Sequence, residues 1–252
     1  MLILLGLLVF LYSVISALGF IMLPAFGEIY ASSLLSLVII FAFIFGDKIL
    51  LGFMQAKLNT RQDDLNYELS NVALKFSIPR ISLYVSKRVS GWHVLDNSFA
   101  SPSIIINPNT VESLNKEELN SLFSLACFKI KSGEIRRKSI YLTLFSVALL
   151  PLAVCDFLDR MRLSVISILI KSILMPIILL KSSVIDNKQV EASLMEDFYK
   201  LYPLKHAVSG ATFKLKQNRA YAGNLLLDLC IETISLTEQE SKEKLSYYIR
   251  TT

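Results

Sequence analysis

Residues Val111–Lys131, VESLNKEELNSLFSLACFKIK, decide how this chain is organised. Asn115 stands where an N-cap would stand, and Glu117 and Glu118 fall in the first turn, where carboxylates meet the positive end of a helix. The pattern predicts a helix running to about Lys131, with Gly133 as its break. Three cations follow, Arg136, Arg137 and Lys138, and then an uncharged run, Ser139–Cys155. A capped polar helix feeding straight into an apolar run, with a basic cluster between them, is the arrangement expected beside a membrane.

The chain on either side extends this reading. Met1–Phe26 contains no charged residue and exceeds the ~20 residues needed to cross the hydrocarbon layer. It lacks a basic leader segment and a clear small-residue cleavage site, so a span is preferred to a secretory signal. Ile29–Gly46 is a second apolar run, continuing past Asp47-Lys48 to Met54. Gly27-Glu28 between the two runs makes them a helical hairpin. A second pair comprises Ser139–Cys155 and Leu163–Leu180, the latter interrupted only by Lys171. Pro151 and Pro176 are tolerable where neighbours satisfy the freed carbonyls. A buried hairpin inside a globular domain would be equally apolar, and the shortness of the third run keeps that alternative open.

Charge asymmetry orients the runs. The short connections carry Glu28 alone, or Asp156, Asp159, Arg160 and Arg162, which cancel. Lys57 and Arg61, and the cluster from Lys129 to Lys138, lie on the other side, so both hairpins turn outward and the rest faces the cytoplasm. The composition agrees: 53% hydrophobic and 19% charged, where a soluble domain is about one quarter charged. The formal charge of +5 suits anionic headgroups. No interleaving of basic and aromatic residues points to nucleic acid. Cys127, Cys155 and Cys230 have no metal spacing and are read as buried free thiols.

Four segments result: a membrane hairpin (1–54), a first cytoplasmic part (55–138), a second membrane hairpin (139–180) and a helical C-terminal part (181–252). In the first cytoplasmic part, Leu65, Leu69, Val72 and Phe76 recur at helical spacing until Pro79. Ile81–Val85 and Ile104–Ile106 read as strands. Helices are expected over about Asp186–Tyr199, Ala211–Gln217, Ala220–Ile234 and Thr237–Ile249.

This order, together with three local segments, resembles the HtpX family of membrane zinc metallopeptidases. Phe76–Val85 (FSIPRISLYV) is similar to the family's proline-bearing segment that ends in valine-tyrosine-valine. Ser103–Asn107 (SIIIN) is similar to its substrate-binding edge strand, and Val111–Ser124 to the approach to its active-site helix. The resemblance implies an α-helical membrane protein with four transmembrane helices and an α+β, mostly helical, zincin-like cytoplasmic domain with a small sheet.

The family's next residues are His-Glu-x-x-His, two zinc ligands on one helix face and a glutamate that polarises water. Here Leu125 stands at the first histidine, Ala126 at the general base and Lys129 at the second histidine. Asn187 aligns near the third ligand, a glutamate on a later helix; Glu191 and Glu196 lie close by. A leucine, a methyl group and an ammonium cannot hold a dication. His93, in an expected loop, and His206 lack ligand spacing, and Cys127 has no evident base. No metal and no cofactor are expected.

The implied protein is a catalytically inactive pseudopeptidase of a prokaryotic plasma membrane. It would act as a structural or regulatory subunit of a membrane protein complex, or hold clients by β-addition at the Ser103, Ile104, Ile105, Ile106 and Asn107 edge strand. Its partners are the lipid bilayer and a membrane protein, with no nucleic acid. The competing expectations are a membrane-bound hydrolase with a non-standard site and, with less support, a small transporter. Lys171, an intramembrane charge in this reading, is expected to meet Asp47, Asp156 or a partner subunit, or to snorkel out of a span drawn slightly wrong.

Overall fold

In the computed structural model, residues 27–60, 63–89, 91–97, 100–148, 161–185 and 188–217 are described, with single positions among 12–21 and 152–159. Most of the first apolar run, Asn187, Cys230 and the two last expected helices lie outside the described residues.

The elements in chain order are α1 (Gly27–Phe53), β1 (Lys57–Leu58), α2 (Asp63–Lys75), β2 (Ser82–Val85), β3 (Trp92–Leu95), β4 (Ser103–Ile106), α3 (Pro108–Val111), α4 (Lys116–Lys131), α5 (Glu134–Ala148), α6 (Ser164–Ile185), α7 (Lys188–Leu201) and α8 (Lys205–Gln217). Helix α4 begins with the expected Asn115 cap, as a reciprocal capping box. The Glu118 amide donates to Asn115 Oδ1 at 2.7 Å, and the Asn115 amide donates to Glu118 Oε2 at 2.9 Å. It ends at Gly133, which takes φ 75°, a value open to glycine without strain. The chain then turns directly into α5.

Helices α2, α7 and α8 pack on α4, and α4 also meets α5. The sheet joins this core through Trp92 and Phe123, whose ring centroids are 5.1 Å apart. Leu69, Val72 and Phe76 of the α2 segment, Leu83, Ile104, Ile106, Leu122, Phe198 and Leu215 complete one buried cluster. The helical spacing read at Leu69, Val72 and Phe76 thus marks the face α2 turns inward.

The sheet order is β1-β2-β4-β3. Strand β4 runs parallel to β2, with Ser82 opposite Ser103, and antiparallel to β3, with Trp92 opposite Ile106. This corrects the expectation for Ser103–Asn107. The strand is interior, its hydrogen-bonding edges are both taken, and Ile104, Ile105 and Ile106 are fully buried. An incoming peptide has no free ladder edge there. Three consecutive β-branched residues fit a strand covered on both faces better than an edge. Strand β3 was expected as a loop around His93. All four of its residues are buried, so it carries no polar–apolar alternation to reveal it.

Four transmembrane helices are not what the described residues form. No single described helix is long and apolar enough to cross a membrane. Helix α1 bends by 67° between Ser32–Phe41 and Ile44–Phe53, and each arm of ten residues reaches only ~15 Å against a core of ~30 Å. The apolar part of α6, Ser164–Met175, is also too short to cross and includes Lys171. The third run opens inside α5, which packs against α1 and α6 and buries Leu142 and Phe145. Protein thus covers part of α5, whereas α6, the other arm of the expected hairpin, leaves Val165, Leu169 and Ile173 exposed.

Because Phe123 fills the contact between sheet and α4, Phe123→Ala is expected to cost ~3–5 kcal/mol of stability. Tyr67→Ala, at an exposed position of α2, should stay within ~0.5 kcal/mol. Denaturant unfolding of the two variants against the parent checks this.

Candidate functional site

Helix α4 places Leu125, Ala126 and Lys129 on its inward face. Leu125 and Ala126 belong to the hydrophobic core and are fully covered by their neighbours. Lys129 lies one turn beyond Leu125 and is 2% exposed. A lysine this deeply buried needs a carboxylate. Its Nζ donates to Glu191 Oε1 of α7 at 2.8 Å. Helix α5 brings a second cation: Lys138 Nζ is 3.6 Å from Glu191 Oε2 and 2.9 Å from Glu134 Oε1. Three helices therefore converge on an ionic tetrad of two ammoniums and two carboxylates, with Glu191 at its centre.

The tetrad is anchored by local geometry. Glu134 and Lys138 are one turn apart on α5, the spacing at which helical side chains meet. The Ser132 hydroxyl at the α4–α5 junction donates to the Lys129 carbonyl at 2.8 Å. Burial pushes the Glu191 carboxyl up, but Lys129 and then Lys138 outweigh it and hold the group below the ordinary value of 4.5. Glu191 is therefore ionised at neutral pH.

The residue expected near the third ligand position, Asn187, lies outside the described residues. The carboxylate that faces α4 is Glu191. Residues four apart share a helix face, so a reading centred on 187 differs from one centred on 191 by a single turn. The burial of Lys129 is the signal that would have chosen Glu191, since it demands an acid on a neighbouring helix.

These side chains do not fit a zinc ion. Leu125 and Ala126 offer no lone pair. Lys129 already brings a positive charge to Glu191 and would repel a dication. His93 is buried in β3 opposite Ile105, whereas His206 is exposed near the start of α8. Among the described residues, no three of His, Cys, Asp and Glu converge on a point that could hold a metal. Cys127 is fully buried, and burial pushes its thiol up to about 12. It is not the thiolate that nucleophilic chemistry needs. Cys155 is likewise a buried free thiol.

Lys171 of α6 pairs with Asp159, Nζ to Oδ2 3.1 Å, with both side chains partly exposed. The intramolecular partner is thus Asp159 rather than Asp47; Asp156 lies outside the described residues. Asp47 instead accepts a long hydrogen bond from Asn97 Nδ2, 3.4 Å. On the far side of α5, Arg136 Nε lies 3.2 Å from Asp96 Oδ2 and ties that helix to the end of β3.

No family model, curated protein or solved structure matches the chain.

Removing the carboxylate at the centre of the tetrad takes a counter-charge from the buried Lys129 and from Lys138, which keeps Glu134. Glu191→Gln is expected to cost ~3–5 kcal/mol, the range for breaking one side of a buried ion pair. A glutamate with a lowered folded value contributes stability fully above its unfolded value. The deficit of Glu191→Gln should therefore be complete above pH 4.5 and shrink as the pH falls through the depressed value. Unfolding free energies of both proteins across the acid range check the sign.

Proposed function

We propose that this chain is a non-catalytic relative of HtpX-type zinc metallopeptidases, seated at a membrane and acting as a structural or regulatory subunit of a membrane protein assembly. The observation that carries the reading is the Lys129–Glu191 ion pair. By the resemblance, the helix bearing Lys129 is the one that would present two histidines and a general base, and the helix bearing Glu191 would supply a third ligand. An ammonium on the first helix and a carboxylate on the second join the two without a metal. The helices keep their electrostatic bond and lose the Lewis acid.

Two features favour a subunit over a client-holding module. The strand expected to capture peptides lies inside the sheet, and Leu125 and Ala126 are packed into the core. A hydrolase using Cys127 has little support, given a thiol value of about 12.

Membrane seating is supported by apolar surface with no cover among the described residues. Helices α1 and α6 both pack on α5 and both leave large apolar side chains outside. On α1 these include Ile40, Phe41 and Ile44. On α6 they include Val165, at 76% exposure, Leu169 and Ile173. Apolar faces of this extent mark contact with lipid or with another protein. The bent α1 pair is suited to entering a bilayer as a broken segment.

The chain purified in mild detergent from its own membranes should carry no stoichiometric zinc by elemental analysis and should bring a fixed partner in near-equal amount. Zinc at one ion per chain overturns the non-catalytic reading. A chain that leaves the membrane in alkaline carbonate, or that always purifies alone, overturns the seating or the subunit role respectively.

A further inference from the structure

A cleft of about 770 Å³ opens where α1 ends, beside strand β1. Its lining includes Lys57, Lys87 and Arg88, with Gln55, Asn59 and Thr60 between them, and no Asp or Glu. None of the three cations forms an ion pair among the described residues.

The cations come from two segments that are tied firmly together. Lys57 sits opposite Val85 in the β1–β2 ladder, which puts it next to the turn carrying Lys87 and Arg88. The Ser86 hydroxyl donates to the Met54 carbonyl at 2.6 Å and accepts from the Arg88 amide at 3.2 Å. The turn is thereby fixed to the last residues of the α1 segment. Asn107 closes the other side, its Nδ2 donating to the Val89 carbonyl at 2.8 Å.

A built cleft with three uncompensated cations favours a compact polyvalent anion. A guanidinium fork and two ammoniums match the oxygens of a phosphate group. Its place in the fold selects the source. Gln55 is two residues past Phe53, the last residue of a helix whose exposed Phe41, Ile44, Phe45 and Phe53 suit acyl chains. Cations just beyond the end of such a helix lie at headgroup depth. Leu58, Val85 and Pro108 supply an apolar wall for the glycerol end of a lipid.

We infer that this cleft binds the phosphate headgroup of an anionic phospholipid. The inference rests on the membrane seating proposed above and adds a specific lipid site to it.

The test uses the full chain in mild detergent, with bound lipid counted by native mass spectrometry. Three probes are titrated: phosphatidylglycerol, phosphatidylcholine and soluble glycerol 3-phosphate. The unsubstituted chain is expected to retain one phosphatidylglycerol and neither of the others. The triple variant Lys57→Gln, Lys87→Gln, Arg88→Gln should lose roughly 10-fold or more in affinity. A control with Lys75→Gln, Lys116→Gln and Lys205→Gln, exposed positions elsewhere, should match the parent and thereby exclude a general charge effect. Unchanged binding in the cleft variant, equal binding of phosphatidylcholine, or equal binding of glycerol 3-phosphate each overturns the inference. Flotation with neutral liposomes separates the two readings. A chain that floats yet shows no preference for phosphatidylglycerol loses only the lipid site. A chain that neither floats nor binds lipid loses the membrane seating as well.

Discussion

An ammonium taken out of water loses several kcal/mol of hydration, and Lys129 is almost wholly out of water. That cost dictates much of what surrounds it. Helix α7 must bring Glu191 within 2.8 Å, and Glu191, now buried itself, must meet a second cation. Lys138 does this from α5 and in turn leans on Glu134. Helices α4 and α5, adjacent in the chain, and the distant α7 are thereby held in one register, since none can slide by a turn without pulling an ion pair apart in the apolar interior. Such a network is weak evidence of added stability. Its physical effect is to define which arrangement of α4, α5 and α7 is allowed.

On the proposed reading, the same network takes the place of the metal site that the resemblance implies. A zinc site joins two helices by giving a dication to side chains on both. Here a positive charge grown on one helix meets a negative charge on the other. Around it, Leu125 and Ala126, which the resemblance sets at a histidine and a general base, lie in the core. Among the described residues, the outward features include apolar helix faces and a basic cleft at the end of α1.

Much of the architecture around the sheet was legible in the sequence because its signals are local. The Asn115 cap, the break at Gly133, the α2 periodicity and the two strands Ile81–Val85 and Ile104–Ile106 each depend on a few neighbouring residues. What was not legible depends on packing. Sheet order is set by which strand finds two neighbours, so SIIIN could not announce that it was interior. Strand β3 is buried at every residue and shows no alternation. The apolarity of Ser139–Ala148 has the same appearance whether lipid or protein covers it, and in α5 at least Leu142 and Phe145 are covered by protein. The bend in α1 has no proline in either arm. For the site, helical spacing was enough to set Leu125 and Lys129 one turn apart on α4. The partner of Lys129 required the fold, because Glu191 lies 62 positions away.

The coupling between Lys129 and Glu191 is the quantity on which the ionic junction between α4 and α7 stands or falls. A double-mutant cycle with Lys129→Met, Glu191→Leu and the pair together measures it directly. Each single change leaves a buried charge behind and should destabilise strongly, whereas the double variant replaces both by apolar side chains of similar size. The expected result is a coupling of ~2 kcal/mol or more, with the double variant more stable than either single one. Additive effects, with a coupling within ~0.5 kcal/mol of zero, would show that the two side chains do not meet in the folded protein and that the junction between α4 and α7 is held by something else.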